Sequence, residues 1–424
     1  MFDASFKKNP YNAYHRMVGQ NAVHYVQLPN GVLTYLVTGY DAAIKTFTHP
    51  DLCKSHLQGN PRWRGFSAIM PEPQHTQLQA NLFNQDAPRH TEMRRLIMPT
   101  FAPERIEGFR DRIAAHVDSL LDALIDKPKV DLMRDFASRL PLLVLSDVIG
   151  LSDAHRVKFK REWSRANGPV SRTNPGRDEY LTLLTQIHAY LETVIEESRE
   201  GNPESLIVQL IAAHDAGKLS STELLSMIFQ LLVMGQEPVI NQIGNAILAL
   251  LQDPAAMQQL VDNPVLDEKA VTELLRLNSS VELGTWRFFS KTTNLMGTSI
   301  PAGDPVLISI SAANRDERRF ECPHKLNLQR ENNVPLTFGY DHHKCPAEYL
   351  ARLQLEISLQ QIIRRLPNLK LAVPYSELKW NTTALIRGMK KLPVTFGEKA
   401  KTQRARANSK STEKASREIA QRNF

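Results

Sequence analysis

The sequence predicts a mainly α fold with small β-sheets, an α+β class, on three observations. Helical apolar periodicity resumes at His90 and continues to Gly217, with breaks at Pro103, Pro128, Ser152 and Asn167 to Gly176. A capped helical run of unusual length follows from Ser220. Short strand-like runs gather towards the two ends of the chain. With 424 residues, 42% of them hydrophobic and 23% charged, the chain has the apolar content for a large core.

In chain order, Tyr11 to Met17 reads as a short helix. His24 to Leu28 and Val32 to Val37 alternate around Pro29-Asn30-Gly31, a hairpin signal. Asp41 to Thr48 is a helix candidate. Periodicity then disappears from Leu52 to Pro88, a stretch punctuated by Gly59, Pro61, Gly65, Pro71 and Pro73. A loop of that length is expected to be functional or mobile. Its Trp63, Phe66, Ile69 and Met70 would either cover a ligand or form a satellite core. Ser220 and Glu223 make a capping box, and apolar periodicity then runs to Leu251. One continuous helix of about thirty residues, roughly 45 Å long, is expected there. After a helix from Pro264 to Leu277, strands are expected at Gly284 to Phe289, Thr298 to Ile300 and Val306 to Ile310, and a β-rich piece at Leu369 to Phe396. The chain shows no internal repeat.

Charge and cysteine use narrow the function classes. The net charge of +7 is concentrated after Gly397, where eight basic residues stand against three acidic ones. The body is close to neutral, so no nucleic-acid partner is expected. Three widely spaced cysteines, Cys53, Cys322 and Cys345, do not make a disulfide framework. Met1 to Gln20 is polar rather than signal-like, and no window approaches ~20 uninterrupted apolar residues. A cytoplasmic protein without a membrane span is the expectation.

Two stretches carry chemistry. Phe338 to Lys344 forms a tight polar loop leading to Cys345, and Pro346 suits the first position of a helix running towards Arg365. A thiolate at a helix N-terminus is favoured by free amides and the helix dipole. It could serve as nucleophile, zinc ligand with His342 and His343, or axial ligand of a haem. The second stretch is Gly235-Gln236-Glu237-Pro238 inside the long helix. An interior proline removes one hydrogen bond and collides with the carbonyl of Met234, a penalty of ~3 kcal/mol. Such a break beside a carboxylate is expected where a ligand or water uses the freed groups.

The cysteine loop resembles that of the cytochrome P-450 superfamily, matching it at Phe338, Gly339, His343, Cys345 and Ala347. Asp341 departs, standing where the family has Gly; Asp tolerates positive φ better than most residues. Glu273-Leu274-Leu275-Arg276 matches the family's Glu-x-x-Arg helix, followed by Asn314-Arg315-Asp316, Phe320, Pro323 and Arg330 at spacings like its meander. His90 and Arg94, four apart on one helical face, resemble its propionate-gripping helix. Arg287 and His343 match two further propionate contacts. General similarity is closest to soluble bacterial members that tailor polyketides and other secondary metabolites.

The resemblance implies a cytochrome P-450 fold, a triangular helical prism with haem b between a long distal helix and the Cys345 loop. It implies one haem domain over residues 1–396, β-rich at about 23–40, 283–310 and 369–396, with 397–424 a basic, disordered tail. Cys345 would be the axial iron ligand; Phe338, His90, Arg94, Arg287 and His343 would hold the cofactor. Glu273, Arg276 and Arg330 would form a structural charge network. Gly235, Glu237 and Pro238 would line the distal, catalytic side, with Glu237 as proton-relay acid. Pro238 stands where the family has Thr and supplies no hydroxyl, so water or a substrate hydroxyl would position the proton. The expected activity is monooxygenation of a lipophilic polyketide or secondary-metabolite intermediate, free or bound to an acyl carrier protein. Electrons would come from a ferredoxin and its reductase, to a monomer. Alternatives are a haem-binding sensor, or coupling, dehydration, rearrangement or peroxide-driven chemistry. Pocket walls by resemblance are Leu57 to Met70, Val233 to Pro238, Val281 to Thr285 and Thr382 to Ile386. Pro346, lacking an N–H, would leave the sulfur more electron-donating.

Overall fold

β-Branched and aromatic residues alternate in Val23–Gln27 (β1) and Leu33–Val37 (β2), which pair antiparallel with Val23 opposite Val37. The computed structural model describes residues 3–28, 31–65, 74–159 and 177–397. The readings at Pro29-Asn30, Phe66, Ile69, Met70, Asn167 to Gly176 and the tail after Gly397 lie outside the described residues. So do Pro71 and Pro73.

Among the described residues, short strands build three sheets. Five strands follow the order β1, β2, Pro305–Ile308 (β8), Arg287–Phe289 (β5) and Leu52–Cys53 (β3). β2 and β8 run parallel, with Tyr35 beside Val306; β8 and β5 are antiparallel, with Arg287 opposite Val306. β3 pairs with β5, placing Cys53 opposite Phe288. This register brings Lys54, the next residue, alongside Arg287. Val130–Asp131 (β4), Lys370–Leu371 (β9) and Pro393–Thr395 (β10) make a second sheet in the order β4, β10, β9. Thr293–Leu295 (β6) and Thr298–Ile300 (β7) form a ribbon. The strand expected from Gly284 begins only at Arg287. β8 ends at Ile308, where Ser309 caps the short helix Ile310–Ala313.

Helices dominate the rest. Ala4–Lys8 (α1) and Tyr11–Gln20 (α2) lead the chain. Arg89–Ile97 (α3), Ser221–Met234 (α4), Glu237–Gln252 (α5), Glu268–Leu277 (α6) and Glu348–Arg365 (α7) carry the residues of interest. Both halves of the Ser220–Glu223 capping box are formed. Asp267 caps α6 through the amide of Ala270, so that helix starts later than Pro264. The single helix expected from Ser220 to Leu251 is instead two, separated at Gly235 and Gln236. Pro238 lies in the first turn of α5, where its missing N–H costs nothing. The collision expected with the Met234 carbonyl is thereby avoided. Taken together, Ser221–Gln252 is long and apolar enough to cross a membrane, but 61% of its most apolar window is buried inside the protein. Core residues such as Ile228, Phe229, Ile243 and Ile247 fix it there.

The stretch from Leu52 to Pro88 is structured among its described residues. It holds β3, two 3-10 turns and helices Pro61–Gly65 and Gln74–Gln79. Trp63 is buried, its ring centroid 4.6 Å from Phe288 and 5.7 Å from Trp286. The satellite-core alternative describes this tryptophan.

Candidate active site

The Cys345 loop is held by its own backbone. The amide of Cys345 donates to the Phe338 carbonyl at 2.9 Å, and that of Lys344 to Asp341 at 2.9 Å. Gly339 at φ +76° and Asp341 at +60° turn the chain. Asp341 adopts the left-handed conformation that the substitution for Gly requires. Helix α7 begins at Glu348 with Ala347 as its N-cap, so Pro346 precedes the helix and does not occupy its first position. The turn at Pro346-Ala347 displaces the start. Burial pushes the Cys345 thiol up to about 11, while the Ala347 amide and the Arg94 guanidinium pull the other way. Phe338 is half-buried, with the Arg352 guanidinium 5.3 Å from its ring.

Beside Cys345 lies a cluster of basic groups. α3 supplies His90 and Arg94, β5 supplies Arg287, and the cysteine loop supplies His343. The His90 and His343 ring centroids are 4.0 Å apart. Burial, then Arg94, lowers His90 to about 4. Burial, then Lys54, holds His343 far below the usual imidazole range. Arg287 is buried and lowered to about 10; its Nη1 donates to the Thr285 carbonyl at 2.8 Å. Lys54 is the member sequence reading missed. Its Nζ donates to Thr285 Oγ1 and to the Trp286 carbonyl, both at 2.7 Å, and burial lowers its pKa strongly. Only the β3–β5 register brings it here, and no local motif announces that.

These five groups suit an anionic ligand. Among the described residues, none of their side chains bonds to a carboxylate side chain, and the buried Nε2 of His90 has no hydrogen-bond partner. Buried cations without acids are costly. A group bearing two carboxylates, set between this cluster and Cys345, would satisfy both the charge and the orphaned imidazole. The residues present therefore fit a haem with its propionates here.

The distal residues are brought together in a different way from that expected. The Glu237 carboxylate accepts from Asn241 Nδ2 at 2.9 Å, and the same amide group donates to the Glu237 carbonyl at 2.8 Å. Asn241 was not singled out by sequence; only its i,i+4 spacing from Glu237 could have signalled it. Ser280 Oγ donates to the Pro238 carbonyl at 2.7 Å, and Ser280 N to Gln242 Oε1 at 2.9 Å. Gly235 abuts the core, where a Cβ would lie 3.0 Å from Leu145 Cδ2. It is a packing position at the helix break.

Glu273, Arg276 and Arg330 form one buried cluster. Arg276 Nε and Nη2 bond the Glu273 carboxylate at 2.7 and 2.8 Å, and Arg330 Nε joins at 3.0 Å. Asn333 Nδ2 and the Asn327 amide also donate to it, each at 3.0 Å. Arg276 Nη1 reaches the carbonyls of Asn314 and Pro323, tying α6 to the meander.

The zinc alternative at Cys345 has no support among the described residues. His342 is exposed beside Asp341, and His343 turns to His90. The grouping with ligand atoms within 4.8 Å is His15, Glu317 and His324 on the surface. There the Arg315 Nη1 lies 3.1 Å from His324 Nδ1, a charge that opposes a cation.

Comparisons with known proteins point to one family. The cytochrome P450 family model matches residues 174–374. The chain is 35% identical over 395 residues to the cytochrome P450 monooxygenase PikC of Streptomyces venezuelae, covering 92% of each. It is similar in structure to myxobacterial cytochrome P450 CYP267B1, solved with myristic acid, at TM-score 0.88 and 30% identity, over 93% of this chain and 98% of that one. P450BioI, solved in complex with acyl carrier protein ligated to hexadec-9Z-enoic acid, matches at TM-score 0.82 and 28% identity, over 93% and 100%.

Proposed function

The chain belongs to the cytochrome P450 family, and we propose that within it this enzyme oxidises a lipophilic polyketide or related acyl intermediate. The family and its fold carry haem b. The observation that carries the assignment to this site is the set of basic groups, Lys54, His90, Arg94, Arg287 and His343, gathered beside Cys345 without a side-chain bond to a carboxylate among the described residues. When bound through Cys345, the haem supplies thiolate-ligated iron that activates dioxygen.

The chain's own residues then have separate tasks. Arg94, Arg287 and Lys54 would hold the propionates by charge-assisted hydrogen bonds, and His90 Nε2 and His343 would add to that grip. The buried Glu273 cluster keeps α6 and the meander rigid beneath the cysteine loop. On the distal side Glu237 is the acid, and Asn241 holds it by its carboxylate. Pro238 offers no hydroxyl there, so an ordered water or a substrate hydroxyl positions the proton. The same absence favours a second reading, in which the oxidation is a coupling, dehydration, rearrangement or peroxide-driven step.

Relatives support the substrate class: one, 32% identical, is the polyketide biosynthesis cytochrome P450 PksS of Bacillus subtilis, and another was solved with an acyl carrier protein. Arg62 and Arg64 are exposed on the helix Pro61–Gly65 and suit an acidic carrier. Electrons are proposed to come from a ferredoxin and its reductase, to a cytoplasmic monomer within a single haem domain. The reduced, carbon-monoxide-bound protein should absorb near the thiolate-haem position. With a ferredoxin, its reductase and NADPH, it should consume oxygen when given an acyl substrate, carrier-loaded or free. Haem binding without substrate-dependent oxygen use would instead favour a sensor, and no thiolate-haem band would overturn the assignment.

A further inference from the structure

Outside the residues assigned above, the most deeply buried ion pair among the described residues joins the N-terminal helix to the interior. Lys7, in α1, pairs with Glu282, and both side chains are fully buried. The Tyr14 hydroxyl of α2 donates to Glu282 Oε1 at 2.6 Å. Lys7 Nζ also donates to the carbonyls of Ala384 at 3.0 Å and Ile386 at 3.3 Å. One ammonium thus bridges two segments that are far apart in sequence.

Those two segments run together along the candidate site. Val281 and Ile386 form an antiparallel bridge, and the amides of Glu282 and Leu283 both donate to the Leu385 carbonyl. The first segment starts where Ser280 bonds the Pro238 carbonyl and ends where Thr285 meets Lys54. It therefore spans from the distal helix to the basic cluster. Val281 and Ile386 are half-exposed, whereas Glu282 is fully buried. Successive residues of an extended chain point to opposite faces. Val281 thus lies on the face opposite Glu282, which faces the N-terminal helices. Arg387 completes the attachment, its Nε donating to the Lys7 carbonyl at 3.0 Å and its Nη2 to that of Lys8 at 3.2 Å.

We propose that Lys7 is a positioning residue for substrate: by holding Glu282 on one segment and the Ala384 and Ile386 carbonyls on the other, it fixes the separation of two pocket walls. A buried ion pair is a poor choice for stability alone, since apolar residues of similar volume often do as well or better. What it adds is direction. The three donors of the ammonium reach a carboxylate on one segment and two carbonyls on the other, and so hold Val281 and Ile386 together across their bridge. The N-terminal helix acts here as part of the pocket, through a contact on its far side. This inference rests on the haem site proposed above.

Haem-loaded Lys7→Met and Lys7→Met/Glu282→Gln proteins would be titrated with imidazole and with 4-phenylimidazole, following the ferric Soret band. The double variant removes both members of the buried pair together, which keeps the test valid if the single variant folds poorly. The expected result is a change of about tenfold in the ratio of the two dissociation constants. Imidazole affinity itself and the urea midpoint of the double variant should stay near wild type. A ratio within about twofold of wild type in the folded double variant would overturn the proposal. If wild-type protein shows no thiolate-haem Soret band, the haem reading fails first and the proposal falls with it.

Discussion

Asn241 Nδ2 lies 2.9 Å from the Glu237 carboxylate and 2.8 Å from the Glu237 carbonyl, so one amide holds both ends of the distal acid. Gly388 makes that possible: a Cβ there would come within 1.8 Å of Asn241 Oδ1. Gly388→Ala should push Asn241 aside and release Glu237. A lost hydrogen bond of about 1 kcal/mol corresponds to a several-fold change. Peroxide formed per NADPH consumed should rise by about that factor in Gly388→Ala and in Asn241→Ala. Unchanged leakage in both would remove Asn241 from the proton path.

The absent hydroxyl at Pro238 makes a separate prediction. Pro238 sits in the first turn of α5, a position that tolerates most residues. Pro238→Thr should therefore fold normally and add a donor beside the Ser280 contact. If water or substrate now does the work of that hydroxyl, coupling of NADPH use to product should change, and dependence on substrate hydroxyls should weaken. Identical coupling and peroxide yield in the two proteins would sink substrate-assisted protonation.

Glu273 accepts from two arginines, an asparagine side chain and a backbone amide in a fully buried place. Glu273→Gln keeps the shape but leaves two buried guanidinium groups without an anion. Breaking a buried pair in this way costs about 3–5 kcal/mol. Urea unfolding should shift sharply downward and the yield of haem-loaded protein should fall. A midpoint equal to wild type would contradict a structural role for the cluster.

His90 sets a pH dependence. Burial and Arg94 lower it from 6.5 to about 4 in the folded protein. Between those values the unfolded chain binds a proton that the folded chain refuses, so folded stability rises with pH across the window. Haem-free protein should be less stable to urea near pH 4.5 than near pH 7, and His90→Gln should flatten that slope. Carboxylates bound beside the imidazole favour its charged form, so the slope should shrink in haem-loaded protein. A slope equal in wild type and His90→Gln would exclude His90 as its source.

How much of this was legible in the sequence depended on whether the partners were local. Glu273 with Arg276, His90 with Arg94, and Ser220 with Glu223 are three or four apart, so helical geometry alone pairs them. The positive φ at Asp341 followed from the tight loop. Lys54, by contrast, reaches the site only because β3 pairs with β5, and Glu282 meets Lys7 across most of the chain. Strand register and segment packing are long-range outcomes that no local pattern encodes. The break at Gly235-Gln236 was anticipated as a distortion, but its form was not. A proline marks where a helix cannot continue unchanged without saying whether it kinks or restarts.

Pro346 gives the last prediction. In the loop, Cys345 donates its own amide to Phe338, and the Ala347 amide acts on the sulfur in the direction of a stabilised thiolate. Pro346 lies between them and has no N–H to offer. A leucine there would restore an amide in the turn that leads into α7, without adding a charge or disturbing the Glu348 pairs with Lys344 and Arg352. Each added donor withdraws electron density from the sulfur and stabilises the more electron-rich state of a bound iron. Spectroelectrochemical titration of haem-loaded Pro346→Leu should therefore give a reduction potential more positive than wild type. A more negative value would mean that the amide at this position points away from Cys345 and that the proline shapes the turn instead.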